Sequence, residues 1–545
     1  MSIRFLISIF IALIVSSCAL QSTMNEGAEH GMSPGLGYAR SHLHEYARAP
    51  MALTIDSLPQ NQQLVISHLV KAATLIDDLY WYEIYGDREV FMGGIQHSQI
   101  ADLASIQYGP WDRFADNHLF VDYARQRPPG ANFYPFNMTR EEIIESKVPK
   151  LESPYTIIRR TSDNQLQAVY YHDAFALQIN EICKQLELAA KASTDENFSN
   201  YLRQRIIALQ TDSYWESEMF WMDLRNNPVN LIIGPMSEKD DHLLHVKKAH
   251  AASILLRDAQ TQKEYDLLAS QQERLLNKIS RELKQPLTEQ FRILEVDVYQ
   301  RLMTTGRANL PNREFLELYP TDERVELEKG QKMILYHNIS ELVLDSLVIP
   351  MVQNTMELSH WNQVDQSTFE KIHTLRKRMV SADGLDKSEG LPGINDTEAQ
   401  KLYQSRNQFK QLLAYYITYQ LLGTEQVIDR ERFATTLITE LLYAMPDFEN
   451  PSVEGSVLAI ALEQQLLKSS GRNQFAVKSE NLDGFLGALK GRIADSLDVM
   501  QQDVQSQPKP MKMPDDILAF FEEVTETTSP KRLVVITPQQ NLMID

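Results

Sequence analysis

Cysteine is almost missing from this chain: 545 residues hold two, Cys18 and Cys183. If Cys18 is modified, no intramolecular disulfide is possible, and the fold must be held by its core. Positive charge is also scarce. Fifty-three Lys and Arg stand against 73 Asp and Glu, giving a formal charge of −20 and a pI near 5.2. That balance excludes a nucleic-acid groove, which needs a basic stripe that the sequence does not offer. After the first residues no apolar run is long enough for a transmembrane helix. What remains is an ordinary globular composition, at a length that allows about two to four domains.

The N-terminus reads as an export signal: Arg4, then an apolar run from Phe5 to Val15 too short to span a bilayer, then small residues. Val15-Ser16-Ser17-Cys18 resembles the lipobox of bacterial lipoproteins, which makes Cys18 the expected acylation site and 1–17 the signal peptide; the alternative is a plain secretory signal. Ala19 follows the cysteine in place of an acidic retention residue, so the expected location is the bacterial envelope, at the outer membrane, with the body in the periplasm or at the surface. Residues 18–49 are polar and aperiodic and read as a flexible tether with a reach on the order of 30 Å. Gly31-Met32-Ser33-Pro34-Gly35 within it matches G-x-S-x-G formally, but lacks the strand before and helix after that a nucleophile elbow requires.

Beyond the tether helical periodicity dominates: Leu64–Tyr85, Asp173–Ala192, Asn197–Gln210, Asp240–Leu283, Ser340–Met356, Gln404–Leu422 and Glu431–Tyr443. Tyr155–Arg159, Val229–Ile233, Met333–Tyr336 and Leu533–Ile536 read as strands, and Asp383–Asp396 as a loop. The expected class is mainly α with some β.

Four strings, LIDDLYWYEIYGD (75–87), QYGPWDR (107–113), PGANFYPFNMT (129–139) and WMDLRNNPVNLIIGP (221–235), are similar to the dipeptidyl-peptidase III family of zinc metallopeptidases, especially its short bacterial forms. Weaker echoes extend the resemblance over roughly 50–500. It implies two lobes with a peptide cleft between them: 50–335 with a small β-barrel, 336–505 helical with the zinc site, and 506–545 returning to the first lobe.

The family chemistry uses H-E-x-x-H, or a form with one inserted residue, on one helix and a glutamate from a second. Two histidines one turn apart hold zinc while the glutamate activates its water. Aligned on the helix after Thr368-Phe369, Met379 and Asp383 replace the histidines and Val380 the base. The second-helix glutamate becomes Asn407 beside Arg406. The glutamate that holds a peptide amine becomes Ser237, with Glu238 one place late, and a histidine near the transition state becomes Glu454. A thioether and a valine do not supply this chemistry. Asp383 and Arg406 are expected either to pair across the emptied site or to be solvated.

Rival clusters are weaker. His242 and His245 would share a helix face that His250 does not join. His42, His44 and Glu45 lie at the tether's edge, and Asp383, Asp386, Glu389, Asp396 and Glu398 fit no calcium-loop spacing. Tyr80, Tyr82 and Tyr85 suit a core or an old peptide cleft. The sequence therefore reads as a peptidase homologue without catalytic residues or cofactor, lipid-anchored to the membrane and binding a peptide or protein partner in the inter-lobe cleft. An active metallohydrolase with relocated ligands and a purely structural envelope role are the alternatives.

Overall fold

The structure is a computed structural model and describes residues 33–51, 53–381, 396–424, 429–445, 453–470, 474–502, 515–528, 530–537 and 542. The fold is α+β. Its long Gln60–Ile84 helix buries Val65, Leu69, Ala72, Ala73, Ile76, Leu79 and Tyr80, a spacing of three and four residues that gives one continuous apolar face. That face packs on the Ala176–Ala192 helix and on two strands of the central sheet, Ala249–Arg257 and Glu295–Gly306.

Five strands form the sheet, in the order Leu316–Tyr319, Lys332–Tyr336, Glu295–Gly306, Ala249–Arg257, Val229–Ser237. Only the Lys332–Tyr336 and Glu295–Gly306 pair is parallel. Register shifts at Pro235/Ser237 and Ile254/Leu255 bend it. Toward the C-terminus helices take over: Gln366–Lys377, Asp396–Thr424, Arg430–Ala444, Val453–Glu463 and Leu482–Gln502. Among the described residues no helix is long and apolar enough to cross a membrane.

Two expectations are corrected. The tether does not run to residue 49: Pro34–His42 is a helix capped by Ser33, whose hydroxyl accepts from the Leu36 amide, and Tyr46–Pro50 is a strand. That strand pairs in parallel with Arg532–Ile536, so its partner lies at the far end of the chain, out of reach of any local pattern. Ser33 is thus a helix cap followed by proline at the first helical turn, a role that its sequence context explains fully.

The second correction is at 240–257, where a helix was expected. Ala249–Arg257 is instead a central strand, and the long helix begins only at Ala259, capped by Asp258. A strand buried on both faces shows no alternation, so AHAASILL looks the same to a periodicity argument in either state. His242 and His245 consequently share no helix face; they lie on the preceding loop, His245 with a left-handed backbone. His250 is fully buried, its Nδ1 2.6 Å from Glu83 Oε1.

Candidate functional site

The Gln366–Lys377 helix is capped by Asp365, whose carboxylate accepts from the Thr368 amide at 2.8 Å, and is buried along most of its length. It carries Phe369-Glu370-Lys371-Ile372-His373. Set against H-E-x-x-H, the glutamate and the second histidine are present and Phe369 stands in the place of the first. Glu370 accepts from Tyr265 at 3.0 Å and from the Ser340 hydroxyl, and lies 2.8 Å from His337 Nδ1.

His373 meets a second helix. Its Nδ1 lies 2.8 Å from Oε1 of Glu440 on the Arg430–Ala444 helix. One turn further along its own helix, Arg376 donates from Nη2 to the same Glu440 oxygen at 2.9 Å and from Nη1 to Glu454 at 3.4 Å. The guanidinium lies over the Tyr415 ring, 4.9 Å from its centroid. His373, Arg376, Glu440 and Glu454 thus form one buried cluster, assembled from three helices.

Its electrostatics follow from burial and pairing. Burial works against the charge on Glu440, but Arg376 and the His373 hydrogen bond overcome it and hold the carboxyl at about 2. Burial likewise opposes the Arg376 charge and is outweighed by Glu440, Tyr415 and Glu454, so the guanidinium stays charged. His373 goes the other way: burial dominates and lowers it to about 4 despite Glu440. The imidazole is therefore neutral at pH 7, and facing an ionised carboxylate it must donate from Nδ1.

These groups do not fit a zinc ion. Phe369 has no donor atom, and His373, which donates from Nδ1 to Glu440, leaves only its buried, unpartnered Nε2 as a possible ligand. The Nε2 lone pair points away across the ring, while a permanent cation already sits against Glu440. Among the described residues no group of three His, Cys, Asp or Glu side chains is placed to hold a metal.

The positions aligned from sequence alone fall elsewhere. The helix ends at Lys377, and Met379 and Val380 belong to a short strand, Met379–Ser381, paired antiparallel with Phe291–Ile293. Neither residue is on a helix, where the aligned motif was expected to lie. Asn407 is on the Asp396–Thr424 helix and accepts from Gln411 at 3.4 Å; the neighbouring Arg406 donates to the Gln290 carbonyl at 3.3 Å. Asp383 lies outside the described residues, as do Cys18 and the rest of the acidic loop up to residue 395. Of the proposed vestigial residues that the structure describes, Glu454 alone joins the cluster. The readable signal for the others was the F-E-x-x-H pentapeptide, one substitution from the motif.

A cavity of about 670 Å³ opens over the sheet, and Ser237 lines it at the end of the Val229–Ser237 strand. Its recorded lining comes from residues 113–321. The cluster lies behind its wall: Glu314 and Leu316 line the cavity, and Phe315 between them packs on His373 with ring centroids 4.8 Å apart. Lys377 reaches Glu314 at 3.6 Å.

Solved structures include close matches in shape. Dipeptidyl-peptidase III from Caldithrix abyssi superposes with a TM-score of 0.73 at 19% identity, over 92% of this chain and 100% of that one. The chain has the dipeptidyl-peptidase III fold. The enzyme from Corallococcus sp. strain EGB shares that fold at a TM-score of 0.64 and 18% identity, over 92% of this chain and 98% of its own. No protein-family model matches the sequence. Among curated proteins, Nudix hydrolase 3 of Arabidopsis thaliana is 19% identical over 397 residues, 61% of this chain and 50% of that protein. The chain therefore spans about half the length of that relative. On this fold the buried cluster takes His373 and Arg376 from the Gln366–Lys377 helix and Glu440 from the Arg430–Ala444 helix, whereas Asn407, aligned with the second-helix glutamate, is on the Asp396–Thr424 helix.

Proposed function

We propose that this protein is a catalytically inactive peptidase homologue that binds a peptide or protein partner. The observation that carries the reading is the Arg376 guanidinium, held between Glu440 and Glu454 and beside His373. A fixed cation stands against Glu440 Oε1 and Glu454 Oε1, where a divalent ion would otherwise compensate the carboxylates, and a phenylalanine replaces one ligand. Neither change supplies a polarised water. Glu370, the residue in the general-base position, is hydrogen-bonded to Tyr265, Ser340 and His337, which leaves it a structural acceptor. The cavity beside the cluster is large enough for several peptide residues. The Cys18 lipobox adds an anchor in the bacterial envelope, at the outer membrane.

The test is the zinc content of the full-length chain after dialysis against zinc, with hydrolysis of dipeptidyl chromogenic substrates measured on the same sample. Substoichiometric metal and no hydrolysis above buffer are expected. One tightly held zinc per chain with turnover would overturn the reading.

A further inference from the structure

One end of the cavity is lined by Arg113, Arg127 and Arg307, all three directed at the single carboxylate of Asp240. Arg113 donates to Asp240 Oδ1 from Nη1 and to the Gln107 carbonyl from Nε at 2.8 Å. Arg127 donates to the same Oδ1 at 3.0 Å and to Asn117 at 2.9 Å. Arg307 brings Nε to 3.0 Å from Oδ2.

The Asp240, Arg113 and Arg127 side chains are 3%, 9% and 6% exposed, whereas Arg307 is 25% exposed and reaches the open space. Among the described residues no second carboxylate forms a salt bridge with any of the three. Arg113 Nη2 and Arg127 Nε are buried with no hydrogen-bond partner. Three cations against one carboxylate leave two positive charges in a low-dielectric wall, within a chain whose net charge is −20.

The rest of the cavity shows no comparable excess. Glu238 and Lys239 oppose each other on the lining. Glu317 is engaged by Arg301 at 3.1 Å and by the Tyr319 and Tyr336 hydroxyls at 2.5 and 2.7 Å, and Glu314 is engaged by Lys377. Arg307 is thrown into this position by Gly306, whose φ of +61° and approach to the His250 carbonyl (2.5 Å from a would-be Cβ) admit only glycine.

We infer that the Arg113–Arg127–Arg307 end of the cavity is an anion subsite that takes a carboxylate of the bound peptide. Arg307 supplies the accessible fork, and the two buried guanidiniums supply the field. This rests on the peptide-binding reading above and adds polarity to it: the peptide lies with a carboxylate at the arginine end.

The test is calorimetry on the full-length chain with a mixed-sequence pentapeptide library in two forms, free acid and C-terminal amide, with inorganic phosphate titrated separately. Charge-assisted pairing predicts that the acids bind roughly tenfold or more tighter than the amides. Arg307→Gln is expected to abolish that difference and Arg307→Lys to keep part of it, with unchanged far-UV spectra. Equal binding of acid and amide to the wild type overturns the subsite and leaves peptide binding intact. If neither form binds, the peptide reading fails and phosphate decides the subsite. Phosphate binding lost in Arg307→Gln upholds it, and phosphate binding that is absent or indifferent to the substitution overturns it.

Discussion

At the residue scale the molecule turns on Arg376. A buried carboxylate without a partner costs several kcal/mol, and removing one member of a buried pair exposes that cost. Arg376→Leu should therefore lower unfolding stability by about 3–5 kcal/mol in urea titrations. Adding Glu440→Gln should recover much of the loss, because the remaining amide needs no counter-charge. A double-mutant cycle with near-additive effects would show that the two residues do not act as a pair. His373 supplies a second prediction. Its pKa falls from 6.5 in the unfolded chain to about 4 in the native protein. Between those values the unfolded chain binds a proton that the native state refuses, so this contribution is present above pH 6.5 and is lost as pH drops toward 4. His337, raised by its hydrogen bond to Glu370, contributes in the opposite sense. Comparing wild type with His373→Gln isolates the first term. The variant should lose a stability slope on the order of 3 kcal/mol across that window, read from urea midpoints at several pH values.

At the scale of elements, the parallel pair of Tyr46–Pro50 and Arg532–Ile536 closes the chain on itself. Glu45 adds contacts to Lys531 at 3.6 Å and Arg532 at 3.9 Å, and the Asn312 amide and carbonyl bond to Leu533 on the other side of that strand. Truncation after residue 528 removes the middle strand of this arrangement. The expected result is a melting temperature lower by several degrees and new protease cleavage near residues 43–51, mapped by mass spectrometry. Unchanged cleavage would mean that the N-terminal strand is held by other contacts. Elements also explain where local reading failed. Ala249–Arg257 is buried on both faces and carries no period of two, whereas Val229–Ile233 and Met333–Tyr336, rich in β-branched or large apolar residues, were legible as strands. Gln60–Ile84 and Arg430–Ala444 were legible as helices because their apolar residues recur at three and four.

At the scale of the whole molecule, the proposed lipid anchor predicts that Cys18 alone decides attachment. Cys18→Ala should abolish incorporation of labelled palmitate and move the protein from the membrane to the soluble fraction of cells, whereas Cys183, buried against the Ile206 carbonyl, should take no label. Label retained in Cys18→Ala would refute the lipobox assignment. The fold itself was largely legible beforehand, because composition and helical period give the α+β class and four long strings carry the dipeptidyl-peptidase III resemblance that the superpositions match in shape. By itself the sequence determined the acidic balance, the export-like N-terminus and the scarcity of thiols; it also carries F-E-x-x-H at 369–373, which the alignment on Met379 and Asp383 passed over and which lies on the Gln366–Lys377 helix. Only the tertiary structure decided what that helix does. Arg376 reaches Glu440 and Glu454, 64 and 78 positions away, and the three arginines of the cavity meet Asp240 from segments 127 and 113 positions before it and from the turn after a later strand. Charge compensation of this kind is set by which side chains share a buried space, and sequence distance carries no record of that.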